Sequence, residues 1–226
     1  MVTKLSRTAK GERTRQHILD TAISLFNERG YEETTMRDIA EAANYSLGLA
    51  YRYFARKEDM VLALYGELAA QTAAQVERLP AGTIAERFYH IMVHKLGQVT
   101  PYRDTLGALF GAAMNPKSDI AVLGDNTAII RQRMTNVFRA AIIGARDALK
   151  EPQAMQMARL IYSAHLLILL FWLYDRTPGQ RATDDLVKFM RDTMTLARPF
   201  LVLPPVARSL ERLAAIVGSV FGGDPL

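Results

Sequence analysis

Hydroxyl groups and cations cluster in one short segment, residues 35–57 (TMRDIAEAANYSLGLAYRYFARK). Groups of these kinds donate hydrogen bonds to phosphate oxygens. Here they belong to Thr35, Ser46, Tyr51, Tyr53 and Lys57. Arg37 and Arg52 add forked guanidinium donors, which suit either a phosphate or the edge of a guanine base. The chemistry that this segment suits is therefore recognition of nucleic acid.

The same segment contains the signals for two short helices joined by a tight turn. Thr35 followed by Asp38 forms a capping-box pattern at the start of the first helix. Asn44 tolerates the left-handed conformation that a sharp turn requires, and Ser46 can cap a second helix over Leu47–Tyr53. Such a pair is a helix-turn-helix, whose second helix lies in the major groove. The alternative is a plain helical hairpin with capped ends.

The run from Gly30 to Tyr65 resembles the DNA-binding domain of the TetR family of transcriptional repressors, in its Gly30–Tyr31 pair, its caps and its Tyr51-Arg52-Tyr53-Phe54 block. The resemblance implies that Thr35, Ser46, Tyr51, Tyr53 and Lys57 contact phosphates. It also implies that the base-facing positions are Arg37, Leu47, Gly48, Leu49 and Arg52. The sequence departs from the family pattern at Asn44, Tyr45, Leu47 and Arg56.

The reading helix is unusually apolar, because Leu47 and Leu49 flank Gly48. Apolar side chains can contact thymine methyl groups but form no bidentate bonds to guanine or adenine. We therefore expect Arg37 to carry a large share of direct readout, with DNA shape supplying more. Gly48 costs its helix about 0.5–1 kcal/mol relative to alanine, which makes sense if a backbone must come close to something there.

The basic charge is concentrated at the N-terminus of the 226-residue chain, whose net charge is +5. The first fifteen residues carry a net charge of +4, from Glu12 and the basic residues Lys4, Arg7, Lys10, Arg13 and Arg15. Such an arm can lie along phosphates or enter the minor groove, or it can be merely a solvated terminus.

Several features predict a cytoplasmic protein without a membrane segment. The chain has no cysteine, which is compatible with a reducing compartment, and its N-terminus has no apolar stretch like that of a signal peptide. Its longest apolar run, Leu160–Leu173, is 14 residues long. A membrane span needs about 20 residues, so this run is expected inside a protein.

Apolar residues recur at helical spacing almost throughout, which predicts an all-α protein. We expect a three-helix DNA-binding domain with its basic arm over residues 1–56, and a larger helical domain for ligand binding and dimerisation over residues 57–226. Outside the helix-turn-helix, helices are predicted at about 12–29, 57–79, 84–98, 101–114, 125–149, 152–174, 183–200 and 205–217. Thr183 is expected to cap the segment at about 183–200.

The helices at about 152–174 and 183–200 have surplus apolar surface, which suits a two-fold, four-helix interface. The resemblance also implies that these two helices form a homodimer. The interface residues predicted are Leu160, Leu167, Phe171, Leu186, Phe189, Met190 and Met194. The alternative is the deep core of a monomer.

Aromatic, methionine and histidine side chains on separate helices of the larger half could line an apolar ligand pocket. They are Phe88, Met92, Phe110, Met114, Met134, Phe138, Tyr162, His165 and Trp172. Ordinary core packing is the competing interpretation for each of them. The resemblance implies a pocket somewhere in this half but names no residue.

Enzymatic chemistry finds little support in the sequence. His90 and His94 have a spacing that can bind metal from one helical face, but no acid follows His90 and no neighbouring cluster completes a site. Motifs for a nucleophile elbow, a P-loop or a dinucleotide site are missing from the sequence. We predict neither catalysis nor a metal or cofactor.

These observations predict a homodimeric repressor that a small apolar or amphipathic molecule releases from a palindromic double-stranded DNA operator. One alternative is a DNA-binding regulator controlled by protein partners without a small-molecule inducer. A more remote alternative is a helical enzyme with an incidental helix-turn-helix.

Overall fold

The computed structural model describes residues 8–220, and over this range the chain is α-helical without a β-strand. The predicted all-α fold is confirmed. Short 3₁₀ segments precede several helices. The α-helices are α1 (Ala9–Arg29), α2 (Met36–Ala42), α3 (Leu47–Tyr53), α4 (Lys57–Val76), α5 (Ile84–Val99), α6 (Arg103–Met114), α7 (Ala128–Ile143), α8 (Gln153–Tyr174), α9 (Arg181–Ala197) and α10 (Pro204–Val220).

At two of the predicted helix boundaries, a contact with a residue elsewhere in the chain explains the difference from the prediction. Helix α7 ends at Ile143 rather than near residue 149, since the backbone N–H of Arg146 donates to the carbonyl of Gly82 at 2.8 Å and draws the chain off the helical path. Thr183 does not cap α9. It lies inside that helix, where its hydroxyl donates to Asp175 at 2.6 Å.

Backbone contacts divide the chain into two compact units. The first comprises residues 1–65 and 102–121, and the second comprises residues 66–101 and 122–226. This division falls later than the predicted boundary between residues 56 and 57, and it assigns α6 to the first unit. Helix α4 therefore begins in the first unit and ends in the second.

The first unit has a small, close-packed core around the inner face of α1. Ile18, Leu19 and Phe26 are completely or almost completely buried there. Helix α2 contributes the buried Ile39 to this core, and α3 contributes the buried Ala50. Each short helix buries one face, which leaves its opposite face exposed to solvent. The core thus fixes α2 and α3 in place while exposing their polar residues.

The second unit is a helical bundle built on α5, α7 and α8, with α9 packed against α5 and α10 against α8. Its core includes Phe88, Met92, Phe138 and Tyr162. Helix α8 is long and apolar enough, by length and composition alone, to cross a membrane. The core helices of soluble proteins can have the same length and composition. Here one face of α8, which includes Ala158, Ile161 and Ile168, lies in the bundle core.

Candidate nucleic-acid interface and effector site

The helix-turn-helix has the geometry that its sequence predicts. The Thr35 hydroxyl accepts from the N–H of Asp38 at 3.2 Å, and the Asp38 carboxylate accepts from the N–H of Thr35 at 2.9 Å. The hydrogen bonds from Thr35 lower the pKa of Asp38. Asn44 adopts a left-handed conformation with φ of 57°, and the Ser46 hydroxyl accepts from the N–H of Leu49 at 3.2 Å. The capped turn fixes the direction in which α3 leaves α2.

One surface of the α2–α3 pair is open. Arg37, Ser46, Gly48, Tyr51 and Arg52 are all exposed. Among residues 8–220, a Cβ added at Gly48 would meet no atom within 4 Å, so none of these residues requires a glycine at that position. A glycine there permits close approach of another molecule to the α3 backbone.

The remaining predicted contacts are partly covered. Leu47, Leu49 and Tyr53 are half-buried, and the exposed Thr35 lies at the N-terminus of α2. On α1, a Cβ at Gly11 would lie 3.6 Å from the Tyr53 hydroxyl, which places the start of α1 beside the end of α3. Basic residues near that start can therefore extend the polar surface of α3.

Lys57 has partners that its sequence position did not suggest. Its amine donates to the carbonyl of Tyr31 at 2.8 Å and lies 4.2 Å from the centre of the Tyr31 ring. The carbonyls of Glu32 and Thr34 lie at 3.4 and 3.5 Å. These contacts hold the loop between α1 and α2, so the geometry favours a structural role for Lys57.

The basic arm is only partly described. Lys10, Arg13 and Arg15 lie in α1, whereas Lys4 and Arg7 lie outside the described residues. The Arg15 guanidinium stacks 4.8 Å from the centre of the Phe54 ring, and the N-cap Thr8 accepts from the N–H of Gly11 at 3.2 Å. The first helix therefore begins three residues earlier than predicted, within the basic segment.

Most of the predicted pocket residues come together in the second unit, as core. The ring centres of Phe88 and Phe138 lie 6.4 Å apart, and those of Phe138 and His165 lie 5.5 Å apart. Met92 and Met134 belong to the same cluster. Trp172 is also buried, and its indole N–H donates to Gln180 at 2.8 Å.

Phe110 and Met114 do not join this cluster, because α6 belongs to the first unit. Met114 is exposed. The sequence pattern predicted helices of similar apolar character throughout and held no signal for which of them pack together.

Two surface cavities of the second unit are lined by other residues. One, of about 410 Å³, lies between α4 and α7 and is bordered by Val76, Ile129 and Arg133 among others. The other, of about 230 Å³, lies between α8 and α10 and includes Leu160. Neither includes a residue of the predicted pocket set.

Lys95 and His165 are two buried polar residues of the bundle, of which only His165 was predicted as a site residue. Lys95 on α5 was not predicted, yet it is only 5% exposed. His165 on α8 is 3% exposed, and neither ring nitrogen has a hydrogen-bond partner. Burial lowers the pKa of Lys95 to about 8, and burial together with the charge of Lys95 lowers the pKa of His165 to about 3. The histidine is therefore neutral near pH 7.

Exposed apolar residues on α8 and α9 form two stripes, which partly match the predicted interface. On α8 they are Leu167, Phe171 and Tyr174, and on α9 and the segment after it they are Phe189, Leu196 and Phe200. Leu186, Met190 and Met194 instead pack against the core of their own unit. Tyr174, Leu196 and Phe200 were missing from the predicted set, although they continue the same helical spacing.

A capped helix-turn-helix with an open α3 face, in a chain with a separate helical bundle, defines a DNA-binding transcriptional regulator. Two family models match the chain. The model for bacterial regulatory proteins of the tetR family matches residues 18–64, and that for the tetracyclin repressor-like C-terminal domain matches residues 87–197. The chain belongs to the TetR family of transcriptional regulators, which are not enzymes.

Curated relatives agree with this assignment. The transcriptional repressor KstR of Mycolicibacterium smegmatis is 29% identical over 183 residues, covering 80% of this chain and 85% of the relative. The repressor KstR2 of Mycobacterium tuberculosis is 35% identical over 101 residues. That match covers 40% of this chain and 50% of the length of KstR2.

Solved structures share the fold. A putative TetR-family regulator from Syntrophomonas wolfei has a TM-score of 0.65 at 22% identity, covering 82% of this chain and 96% of that one. Thermus thermophilus FadR, a TetR-family repressor in complex with lauroyl-CoA, has a TM-score of 0.61 at 23% identity, covering 81% and 94%.

Proposed function

We propose that the protein is a homodimeric, cytoplasmic transcriptional repressor that a small apolar or amphipathic molecule releases from a near-palindromic DNA operator. The observation that carries the proposal is the capped α2–α3 pair, which presents an exposed, glycine-containing face on a rigid support. A small core beneath it holds α3 in one orientation, as groove recognition requires.

In the proposed complex, α3 enters the major groove. Thr35, Ser46, Tyr51 and Tyr53 contact phosphates. Thr35 and Ser46 lie at helix starts, where free N–H groups attract phosphate oxygens, and the two tyrosines offer hydroxyl groups. Lys57 is assigned a secondary phosphate contact, since its amine already holds the loop before α2.

Base recognition is assigned to Arg37 and Arg52, together with Leu47, Gly48 and Leu49. The two guanidinium groups are exposed and can donate to guanine edges, whereas the leucines can contact thymine methyl groups. Arg37 lies on α2 rather than α3, so it extends the readout beyond the reading helix.

Dimerisation is assigned to the apolar stripes of α8 and α9. Large apolar side chains exposed at helical spacing on neighbouring helices are typical of an interface between identical chains. A dimer would place two α3 helices in major grooves roughly 34–36 Å apart, which accounts for the proposed near-palindromic operator.

The effector is assigned to the second unit. An effector can change DNA affinity only to the extent that it prefers one of two conformations of the protein. The complex of Thermus thermophilus FadR with lauroyl-CoA supports an amphipathic molecule, as does the mixture of aromatic and polar groups in the bundle of this chain.

The test is selection of bound sequences from random double-stranded DNA, performed with the wild type and with Arg37→Ala. The wild type should enrich a two-fold related site. Arg37→Ala should weaken binding to that site by about 5- to 150-fold, corresponding to about 1–3 kcal/mol for one bidentate contact, and should relax preference at one position of each half-site.

Two outcomes would count against the proposal. Failure of the wild type to enrich any sequence would remove the repressor function. Unchanged preference in Arg37→Ala would remove its assigned role in base readout and leave α3 as the reader. Lys150→Ala, an exposed lysine in the second unit, is the matched control and should select the same site as the wild type.

A further inference from the structure

The amine of Lys95 is buried with weak compensation. Its described partners are the carbonyl of Leu68 at 3.3 Å and the hydroxyl of Thr72 at 3.4 Å, both longer than a usual N–H···O bond. Among residues 8–220, no carboxylate lies within ion-pair distance of it. A buried cation of this kind is costly unless an opposite charge accompanies it.

Arg87, another buried cation of the same unit, differs from Lys95 in having short hydrogen bonds to backbone carbonyls. It is also buried, but its guanidinium donates to the carbonyl of Ala141 at 2.9 Å and to that of Pro80 at 3.2 Å. Arg131, the third buried cation of the bundle, likewise donates to the carbonyl of Val122 and the hydroxyl of Thr127. Lys95 lacks such a set of short bonds.

His165 supplies a second incomplete group in the same bundle, and the charge of Lys95 acts on its pKa. Both of its ring nitrogens are buried without a hydrogen-bond partner, although buried polar atoms are nearly always satisfied. The Tyr162 backbone lies near the ring and opposes the lowering of the histidine pKa, but neither ring nitrogen has a hydrogen-bond partner among the described residues. The neutral imidazole can donate one hydrogen bond and accept another.

Apolar side chains of the bundle core accompany these two groups. Met92, one turn before Lys95 on α5, is completely buried, and the Phe138 ring lies 5.5 Å from that of His165. The site therefore combines a cation and a neutral donor with aromatic and thioether surface. Such a combination fits one polar end and one apolar body of a ligand.

We propose that the effector of this protein is an apolar molecule that ends in an oxyanion, a carboxylate or a phosphate, and that the oxyanion binds between Lys95 and His165. Lys95 supplies the charge, His165 donates one hydrogen bond, and Met92 and Phe138 contact the apolar body. This inference rests on the proposed function, in which the second unit holds the effector.

The test uses the full-length protein without DNA and three matched ligand sets. Decanoate, decyl phosphate and decanol share one body, and 4-phenylbutyrate and 4-phenylbutanol share another. Octanoate and octanol form the third set. Isothermal titration below the concentrations at which these compounds aggregate gives each Kd.

At least one acid should bind at least about tenfold more tightly than its alcohol, as one charge-assisted contact predicts. In Lys95→Met this preference should fall below about twofold. Lys150→Met is the matched control, because Lys150 is an exposed lysine of the same unit, and it should keep the preference. The phosphate and carboxylate members of the decyl set distinguish the two kinds of oxyanion.

Equal binding of acid and alcohol in every set would overturn the proposal, as would a preference that persists in folded Lys95→Met. Circular dichroism establishes folding, and Lys95→Gln replaces Lys95→Met if the latter does not fold. Operator binding is measured separately. Release of operator by an alcohol as readily as by its acid would defeat this inference alone, whereas acid binding without any effect on operator affinity would defeat the proposed ligand response alone.

Discussion

The carboxylate of Asp175 accepts two hydrogen bonds from Thr183, one from its backbone N–H at 2.8 Å and one from its hydroxyl at 2.6 Å. Asp175 follows the last residue of α8, and Thr183 lies in the first turn of α9. The pair therefore fixes the start of α9 to the end of α8. The connection matters because these two helices carry the apolar stripes assigned to dimerisation.

Replacement of Asp175 by asparagine should lower the midpoint of thermal unfolding by several degrees near pH 7, because the amide cannot accept from Thr177 and Thr183 as the carboxylate does. The hydroxyls of Thr177 and Thr183 hold the pKa of Asp175 far below its usual range. A depressed carboxylate pKa stabilises the folded state above the unfolded value of about 4 and loses that effect as the pH falls.

The difference between the wild type and Asp175→Asn, measured by circular dichroism, should therefore be constant from about pH 7 to pH 5 and shrink below about pH 4. Asp185→Asn, at an exposed position of α9, should show little difference at any pH. A gap between wild type and Asp175→Asn that widened in acid would contradict the assigned role of the carboxylate.

Replacement of Gly48 by alanine should separate stability from function. Within the described part of the chain the added Cβ meets no atom within 4 Å, so the free energy of unfolding should rise by about 0.5–1 kcal/mol. Operator affinity should fall by about tenfold or more if the α3 backbone approaches DNA closely at this position. Denaturant unfolding and fluorescence anisotropy with labelled operator measure the two effects.

Gly97→Ala is the control for this substitution. Gly97 lies inside α5, and a Cβ there also meets nothing within 4 Å. It should give the same gain in stability with unchanged operator affinity. Undiminished operator affinity in Gly48→Ala would show that α3 does not approach DNA through this glycine.

The dimer interface can be tested by placing charge on α9. Leu196 is 74% exposed and Phe189 is 64% exposed within one chain. The wild type should be a dimer at micromolar concentration by light scattering, and the double variant Phe189→Glu/Leu196→Glu should be a folded monomer. Ile129→Glu, at an exposed apolar position of α7, should remain a dimer. A monomeric wild type would refute the assignment.

Lys95→Met should stabilise the protein in the absence of ligand. Burial lowers the pKa of Lys95 from 10.5 to about 8, so the charged amine opposes folding at pH 7 by about 3 kcal/mol at most. As the pH rises from about 8 to about 10, the folded state loses the proton before the unfolded state does, and the stability of the wild type rises.

The advantage of Lys95→Met in denaturant unfolding should accordingly be largest near pH 7 and decline above about pH 8. Lys150→Met should be neutral throughout, since Lys150 is exposed. A lower stability of Lys95→Met at pH 7 would show that the bonds to Leu68 and Thr72 outweigh the cost of the buried charge.

Short-range sequence patterns predicted the helix-turn-helix much better than they predicted the packing of the helical bundle. The caps at Thr35 and Ser46 and the turn at Asn44 depend on residues no more than a few positions apart, and the sequence therefore predicted α3 with its observed bounds. The capping box of Thr83 and Glu86 at the start of α5 was predictable for the same reason.

The roles of Lys57 and Lys95 could not be predicted, because they depend on contacts with residues far away in the sequence. Lys57 reaches the Tyr31 carbonyl 26 positions earlier in the chain, and Lys95 reaches the carbonyl of Leu68, 27 positions away. A lysine in a helical pattern usually marks the solvated side, so the burial of Lys95 has no local signature. Similarly, nothing in the spacing of Phe110 distinguished α6 from the helices of the second unit.

The incomplete bonding of Lys95 and His165 also bears on how long the protein persists in a cell. Marginal stability sets the fraction of a protein that is open to proteases, and a ligand that binds only the folded state lowers that fraction. An effector that satisfied both groups would therefore slow degradation of the protein while lowering its affinity for the operator. Abundance of the regulator would then rise under the conditions that relieve repression, which would shorten the time needed to restore repression once the effector is gone.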